Sequence, residues 1–171
     1  MGRQRLRTDV SLTVCTPCVI VRPFMTYGPG QDARKIIPAV ILDFLSGKEP
    51  RLSSGRWEAD WVYVDDVIEG FLKVAVTPQL DGASIDLGSG KPVSVQTIVE
   101  RLTAILGNGL KPRFGALPDR PFEQVRVADI ADTYAKLGWK ASVSLEEGLQ
   151  QTVEWYRGQT VTASHPSRQP R

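Results

Sequence analysis

Apolar residues along the middle of the chain alternate between short β-branched runs and longer stretches with helical spacing. Val19 to Arg22 is a β-branched run that predicts a short buried strand. The aromatic and β-branched run Trp61–Val64 and the run Ala83–Leu87 predict two further strands. Apolar residues three or four positions apart predict helices near 36–45, 67–72, 95–106, 130–137 and 145–156. This order of helices and short strands predicts an α/β or α+β chain.

Turn and cap residues separate these elements. The segment from Tyr27 to Gly30 contains Gly-Pro-Gly and predicts a turn. Ser94 and Asp129 each precede an apolar helical stripe, so we expect both to be helix N-caps. Ser144 with Glu147 matches the spacing of a capping box at the start of the last helix.

Asp65 and Asp66 form an acidic pair directly after the second predicted strand. Paired carboxylates can serve acid–base chemistry or bind a metal ion. Here an apolar helix follows at once, and Asp66 with Glu69 has capping-box spacing. We therefore interpret the pair as helix-capping residues.

The two ends of the chain differ from the middle. Residues 1–14 are polar with scattered apolar positions and predict an arm or a partial helix. Residues 158–171 carry almost no apolar side chains, so we expect a disordered tail. Residues 15–157 are the predicted folded part, long enough for one domain with its own core.

Charge and hydropathy exclude several classes of protein. A net charge of +2 gives no reason to expect a nucleic-acid partner, and we interpret Arg3, Arg5 and Arg7 as a solvated arm. No apolar run approaches the ~20 residues of a membrane span. The apolar stretch near the N-terminus is broken by threonines and a proline, so we expect no secretory signal and a cytoplasmic location.

Cys15 and Cys18 form a Cys-Thr-Pro-Cys pair that invites a redox or metal interpretation. A thioredoxin-like pair begins a helix, whereas this pair precedes a predicted strand. A zinc site needs two more ligands, and the only histidine, His165, lies in the polar tail. We expect structural or incidental cysteines and no metal site.

Five stretches in a fixed order carry a family resemblance. They are the strand and Tyr-Gly-Pro turn at 19–30, the Asp-Trp-Val-Tyr-Val-Asp-Asp segment from 60, the Gly-Ser-Gly turn at 85–90, the loop at 118–123 and the Leu-Gly-Trp to Leu-Glu-Glu-Gly-Leu segment at 137–149. Together they resemble the extended short-chain dehydrogenases, the family of NAD(P)-dependent sugar-nucleotide epimerases and dehydratases. The resemblance implies the C-terminal part of a Rossmann-type enzyme, comprising the last strands of the parallel sheet and the small α/β substrate-binding domain.

Two motifs that carry the chemistry of this family are absent from the sequence. There is no Gly-x-x-Gly-x-x-Gly turn for the cofactor, and no tyrosine has a lysine four residues later. In the family that tyrosine moves a proton while NAD or NADP exchanges a hydride. We therefore predict no catalytic residue, and we expect that this chain alone neither binds the cofactor nor turns over a nucleotide sugar.

The resemblance also assigns roles at the end of the first strand. Pro23 and Phe24 match positions at the nicotinamide end of the cofactor site, although Phe24 could equally be a core residue. Met25 stands where many members have an asparagine that binds substrate phosphate, and methionine cannot donate that hydrogen bond. Tyr27 matches the turn on the substrate side, where shaping the turn is an alternative to touching the ligand.

Arginines carry the remaining substrate assignments. Arg120 matches a late-loop arginine that pairs with the diphosphate, and the alternative is a solvated surface arginine. Ala59 stands where many members have an arginine that contacts the nucleotide. Arg56 lies three positions earlier and is a candidate to compensate for that loss.

Three hypotheses follow for the function. We favour an inactive part of an epimerase/dehydratase, from a split or truncated gene, that lacks its N-terminal half. A stand-alone module that binds a nucleotide-linked ligand is the second. The third is an interaction role, because a strand at Val19–Arg22 without its neighbours exposes apolar edges that favour a homo-oligomer or another partner.

Overall fold

The computed structural model describes residues 18–121 and 124–163. Within these ranges, five strands and five helices follow one another. The strands are β1 (Ile20–Pro23), β2 (Met25–Tyr27), β3 (Glu58–Tyr63), β4 (Ser84–Leu87) and β5 (Pro92–Ser94). The helices are α1 (Ile36–Leu45), α2 (Val64–Val76), α3 (Val95–Leu106), α4 (Ile130–Leu137) and α5 (Leu145–Ala163).

The strands form two small sheets, and the chain passes from one to the other and back. β1 pairs in parallel with β4, with Ile20 opposite Ser84 and Pro23 opposite Leu87. The second sheet has the order β2-β3-β5, in which β2 and β3 are parallel and β3 and β5 antiparallel. The chain passes from the first sheet to the second at Phe24 and again between β4 and β5. The predicted α/β class with a parallel sheet is confirmed.

The larger hydrophobic cluster, called the closed core here, lies around the three-stranded sheet. α1, α3 and α5 pack together and bury their apolar faces against it. Its fully buried members include Ile41, Ile98, Leu102, Leu149 and Val153. These are the apolar positions that the helical spacing selects in the sequence, so pattern and packing agree.

A smaller cluster lies between the β1–β4 sheet and α2. This sheet, the cluster and α2, whose outer face is exposed, are together called the open side. The cluster consists of Val62, Val67, Ile85, Leu87 and Trp139. Helix and sheet approach closely at Gly70, where an added Cβ would come within 2.6 Å of the Leu87 side chain. Glycine is therefore required at this position in the helix.

The predicted caps of α3, α4 and α5 are confirmed. The Ser94 hydroxyl accepts from the Thr97 amide, and the Asp129 carboxylate accepts from the Asp132 amide. The Ser144 hydroxyl accepts from the Glu147 amide at 3.2 Å. In each case a side-chain oxygen satisfies an amide of the first turn that has no partner within the helix.

The capping role expected for Asp65 and Asp66 is wrong. α2 begins one residue after Tyr63 and has no side-chain cap. Asp66 is instead 2% exposed. Its carboxylate accepts from the Ser142 amide and hydroxyl at 2.9 and 2.8 Å and from the Val143 amide at 3.0 Å. It thus fastens α2 to the segment before α5, a contact that only the tertiary fold creates.

Two further expectations need correction. β1 is a strand, but it is half-exposed rather than buried, since β4 is the strand that pairs with it among the described residues. α5 continues to Ala163, so the tail expected from Gly158 is helical in its first part. The expected arm at 1–14, Cys15 and the tail from 164 onward lie outside the described residues, and Cys18 is an exposed free thiol.

Candidate functional site

The carboxyl ends of the parallel strands β1 and β4 lie side by side. Pro23 is opposite Leu87, and the Phe24 amide donates to the Leu87 carbonyl at 2.9 Å. The turn Gly88–Gly90 follows β4 at the same edge. In open α/β sheets, ligands bind in the crevice outside the carboxyl ends of the strands. This edge is therefore the candidate site.

A buried carboxylate organises the loops at this edge. Asp60 is 1% exposed and accepts from the Ser89 amide and hydroxyl at 2.7 and 2.6 Å. It also accepts from the amides of Gly90 at 2.9 Å and Ala128 at 3.0 Å. Because four donors occupy its oxygens, Asp60 holds loops in place and has no free lone pair for a ligand.

A second buried carboxylate fixes the ends of β1 and β4. Asp86 accepts from the Arg22 Nε at 2.6 Å and from the Asp129 amide at 3.2 Å. The ion pair joins two neighbouring strands, and the second bond attaches the start of α4 to them. Sequence reasoning did not single out Asp60 or Asp86. The available signal was an aspartate inside an otherwise apolar strand, which is buried only when it is paired.

The residues assigned to the cofactor end and to the substrate end are contiguous. Pro23 is exposed, and the half-buried Phe24 lies outside both hydrophobic clusters of the described residues. Met25 is opposite Trp61 across β2 and β3 and packs against the closed core. This part of the edge therefore presents apolar atoms.

Tyr27 is a core residue rather than a ligand contact in this structure. It is 2% exposed and stacks edge-on against Trp61 and Tyr63. Its hydroxyl points to the Leu145 carbonyl at 3.4 Å, and Gly148 leaves the space that the hydroxyl needs. Burial raises the pKa of Tyr27 well above its ordinary value. The alternative role, shaping the turn, fits this environment.

Arg56 and Arg120, together called the arginine rim, belong to two loops that hydrogen bonds join. The loops run side by side, with the Gly115 amide donating to the Ser53 carbonyl at 3.0 Å. The Ser54 amide donates to the Asp119 carboxylate at 2.9 Å. Hydrogen bonds from Ser54, with a smaller contribution from the charge of Arg56, hold the pKa of Asp119 below its usual value. Both arginines are exposed.

The loop that carries Arg120 is tethered on both sides. Asp119 fastens one side to Ser54, and the Ala128 amide fastens the other side to Asp60. Ala59, by contrast, is 4% exposed and belongs to the closed core. The structure thus leaves both candidate arginines exposed on joined loops and buries position 59.

Comparison with known proteins supports the family. The model of the NAD dependent epimerase/dehydratase family matches residues 9–88. The dTDP-glucose 4,6-dehydratase of Haemophilus influenzae is 29% identical over 82% of this chain and 45% of that protein. The dTDP-D-glucose 4,6-dehydratase of Mus musculus is 31% identical over 82% of this chain and 41% of that protein.

The chain belongs to the NAD-dependent epimerase/dehydratase family.

Solved structures of this family superpose on most of the chain. A UDP-glucose 4-epimerase from Thermotoga maritima with UDP-glucose has a TM-score of 0.82 at 27% identity, covering 91% of this chain and 51% of its own. A UDP-glucuronic acid 4-epimerase from Bacillus cereus with UDP-glucuronic acid and NAD has a TM-score of 0.83 at 26% identity, covering 91% and 50%. The chain spans about half the length of these family members, or less.

Pro23 and Phe24, the residues predicted for the cofactor end, offer one apolar wall. The Gly28 turn is packed against Val64, so that even a Cβ would meet its side chain. Over residues 18–121 and 124–163, no helix is long and apolar enough to cross a membrane.

Proposed function

We propose that this chain forms the nucleotide-sugar-binding side of an NAD(P)-dependent epimerase/dehydratase and is inactive by itself. The observation that supports the proposal is the set of hydrogen bonds that joins the loop of Arg120 to the loop of Arg56 and to Asp60, the carboxylate that also holds the strand-end turn. Guanidinium groups match the oxygens of a diphosphate and bind them with charge-assisted hydrogen bonds. Solved structures that are similar to this chain include complexes with UDP-glucose and with UDP-glucuronic acid.

The proposed ligand contacts differ from one end of the site to the other. The arginine rim supplies the positive charge for a diphosphate. Met25 and Phe24 supply apolar surface at the end of β1, and neither side chain can donate a hydrogen bond. We therefore place the diphosphate at the rim and the sugar towards the strand ends.

Turnover requires groups that this sequence does not contain. NAD or NADP would supply hydride transfer when bound, and a tyrosine with a lysine four residues later would move the proton. The sequence has neither that pair nor the glycine-rich turn. A polypeptide that brings both is required for activity.

Calorimetric titration of the purified chain with UDP-glucose and dTDP-glucose tests the proposal. We expect binding that Arg120→Ala and Arg56→Ala each weaken by about 10-fold or more, because each loses a charged hydrogen bond worth about 1.5–3 kcal/mol. Uridine, which lacks the diphosphate, should bind far more weakly than UDP-glucose.

Arg113→Ala is the matched control. Arg113 is also exposed, but its guanidinium pairs with Glu49 at 2.7 Å. Its removal should leave nucleotide-sugar affinity unchanged. Absence of binding to the unmodified chain, or equal losses in all three variants, would contradict the assignment of the rim.

A further inference from the structure

We propose that Asp119 is a positioning residue of the arginine rim. Its carboxylate joins the loop of Arg56 to the loop of Arg120 through a hydrogen bond, called the clasp here, that an uncharged acceptor at the same position can also form. The inference rests on the proposed function, because it names the side chain that holds the two arginines ready for a diphosphate. Asp119 acts through the arginines and not through contact with the ligand.

The two loops pair like neighbouring strands over part of their length. The Leu52 amide donates to the Arg113 carbonyl at 3.0 Å. The Gly115 and Leu117 amides donate to the carbonyls of Ser53 and Leu52, also at 3.0 Å. This backbone pairing ends before it reaches either of the rim arginines, so the segments that carry them need a further connection.

The hydrogen bond from Ser54 to Asp119 is that connection. The Ser54 amide donates to the Asp119 carboxylate at 2.9 Å. Asp119 directly precedes Arg120, and Ser54 lies two residues before Arg56. Hydrogen bonds from Ser54 lower the pKa of Asp119, with smaller contributions from Ser53 and from the charge of Arg56. The ionised carboxylate therefore interacts with the loop of one rim arginine while it is adjacent in sequence to the other.

A tight turn fixes the backbone of Arg56 relative to Ser54. The Ser54 hydroxyl accepts from the Arg56 amide at 3.3 Å. Gly55 lies between them with a φ of +72°, and an added Cβ would come within 3.0 Å of the Phe114 side chain. The Gly55 carbonyl accepts from the Gln96 amide of α3 at 2.9 Å. The position of Arg56 therefore follows that of Ser54, which the clasp holds.

Two other roles for Asp119 lead to different expectations. A carboxylate near arginines can compete with a diphosphate for their charge, and any neutral replacement would then strengthen binding. A solvated surface residue would have no effect on binding. A positioning residue differs from both, because asparagine keeps an acceptor oxygen and removes the charge, whereas alanine removes both.

Calorimetric titration of the full chain with UDP-glucose tests the proposal in two variants of Asp119. Asp119→Ala should weaken binding by about 10-fold, because the rim arginines lose the support that orders them before the ligand arrives. Asp119→Asn should restore most of this loss, because its side-chain oxygen can accept from the Ser54 amide.

Asp32→Ala is the matched control. Asp32 is also exposed, accepts from a backbone amide, that of Arg34 at 2.9 Å, and pairs with the Arg34 guanidinium. Its replacement removes the same charge and the same kind of bond from the loop before α1, so UDP-glucose affinity should not change. Thermal melts of every variant check that the chain remains folded at the temperature of the titration.

The remaining outcomes of the titration contradict the proposal. Stronger binding by both Asp119 variants would make the carboxylate a competing charge. Unchanged binding by both would make it a solvated surface residue. Equal losses in both would place the effect in the charge rather than in the hydrogen bond, and an equal loss in Asp32→Ala would make the effect unspecific.

Amide hydrogen exchange at Ser54 separates this inference from the proposed function, because it requires no ligand. The Ser54 amide should exchange about 10-fold faster in Asp119→Ala than in the unmodified chain, and Asp119→Asn should restore slow exchange. Unchanged exchange in Asp119→Ala would overturn the clasp. If the unmodified chain does not bind UDP-glucose, the proposed function fails and the exchange rates still decide whether the clasp exists. If Arg120→Ala weakens binding and Asp119→Ala does not, only the positioning role fails.

Discussion

The closed core and the open side use the same kinds of residue but differ in how completely they are covered. In the closed core, α1, α3 and α5 surround a three-stranded sheet, and Ile41, Ile98 and Leu102 are fully buried. On the open side, α2 and α4 both contact a two-stranded sheet, and Leu72 and Val76 on α2 remain largely exposed. The apolar side chains of the closed core are therefore enclosed, whereas those on the outer face of α2 are not.

This difference separates the two expected roles of the chain. The loop of Arg120 and the turn at Ser89 are both attached to β3 through Asp60. Pro23 and Phe24, the residues predicted for the cofactor end, lie at the end of β1 on the open side. Ligand binding and catalytic competence are therefore expected to depend on different parts of the structure.

The largest expected effect is the difference in the free energy of unfolding when a leucine is replaced by alanine in the closed core and on the open side. Leu102→Ala, in the closed core, should lower the free energy of unfolding by about 2–5 kcal/mol because it leaves a cavity. Leu72→Ala, on the open side, should change it by no more than about 0.5 kcal/mol because the side chain is mostly in water. Urea denaturation of both variants measures the contrast. Similar losses would show that the outer face of α2 is buried in solution and would break the comparison.

An intermediate effect is expected at the contact that fastens the open side to the rest. Asp66→Ala should cost about 1–3 kcal/mol, because it leaves the buried amides of Ser142 and Val143 without their acceptor. Asp65→Ala, one residue earlier and exposed, is the control and should be near neutral. Thermal melts of the two variants decide the point. A neutral Asp66→Ala would mean that α2 is not held by this carboxylate.

The smallest effect on stability at neutral pH is expected from substitution of Tyr27 in the closed core. This effect should grow as the pH becomes alkaline. Burial raises the pKa of Tyr27 above its ordinary value of 10.0, so the native state retains this proton more tightly than the unfolded state does. The stability contributed is complete below pH 10 and is lost as the pH rises through the folded-state pKa. Melting temperatures from about pH 8 to about pH 11 should fall less steeply for Tyr27→Phe.

Part of the alkaline loss should persist in that variant. Burial is also the main cause of the raised pKa values of Tyr63 and Tyr156. Tyr134→Phe, at an exposed position, is the control and should follow the unmodified profile. A Tyr27→Phe profile that matches the unmodified chain would indicate that the Tyr27 hydroxyl is accessible to water.

Prediction from the sequence succeeded where short-range interactions decide the structure. The apolar stripe of α3, its serine cap and the glycine that ends it depend on neighbours three or four residues apart. It failed for Asp66, because capping-box spacing is a local signal and the actual donors are 76 and 77 residues away. β2 and β5 were also missed as separate strands, since three residues are too few to show a period.

The candidate site shows the same division. Arg120 and Arg56 were found because one matches a family motif and the other lies near a lost one. A hydrogen bond between Ser54 and Asp119 joins their loops, and no spacing in the sequence indicates it. Asp60, which orders the strand-end loops, has four donors at separations of 29 to 68 residues.

The sequence by itself determined the family, the α/β class and the absence of the glycine-rich turn and the Tyr-x-x-x-Lys pair, because these depend on residue types in order. Only the tertiary structure decided that Tyr27 is buried, that hydrogen bonds join the loops of Arg56 and Arg120 and that the outer face of α2 is exposed among the described residues. Burial and long-range hydrogen bonds depend on which segments meet, and that is a property of the whole packed chain rather than of any window of it.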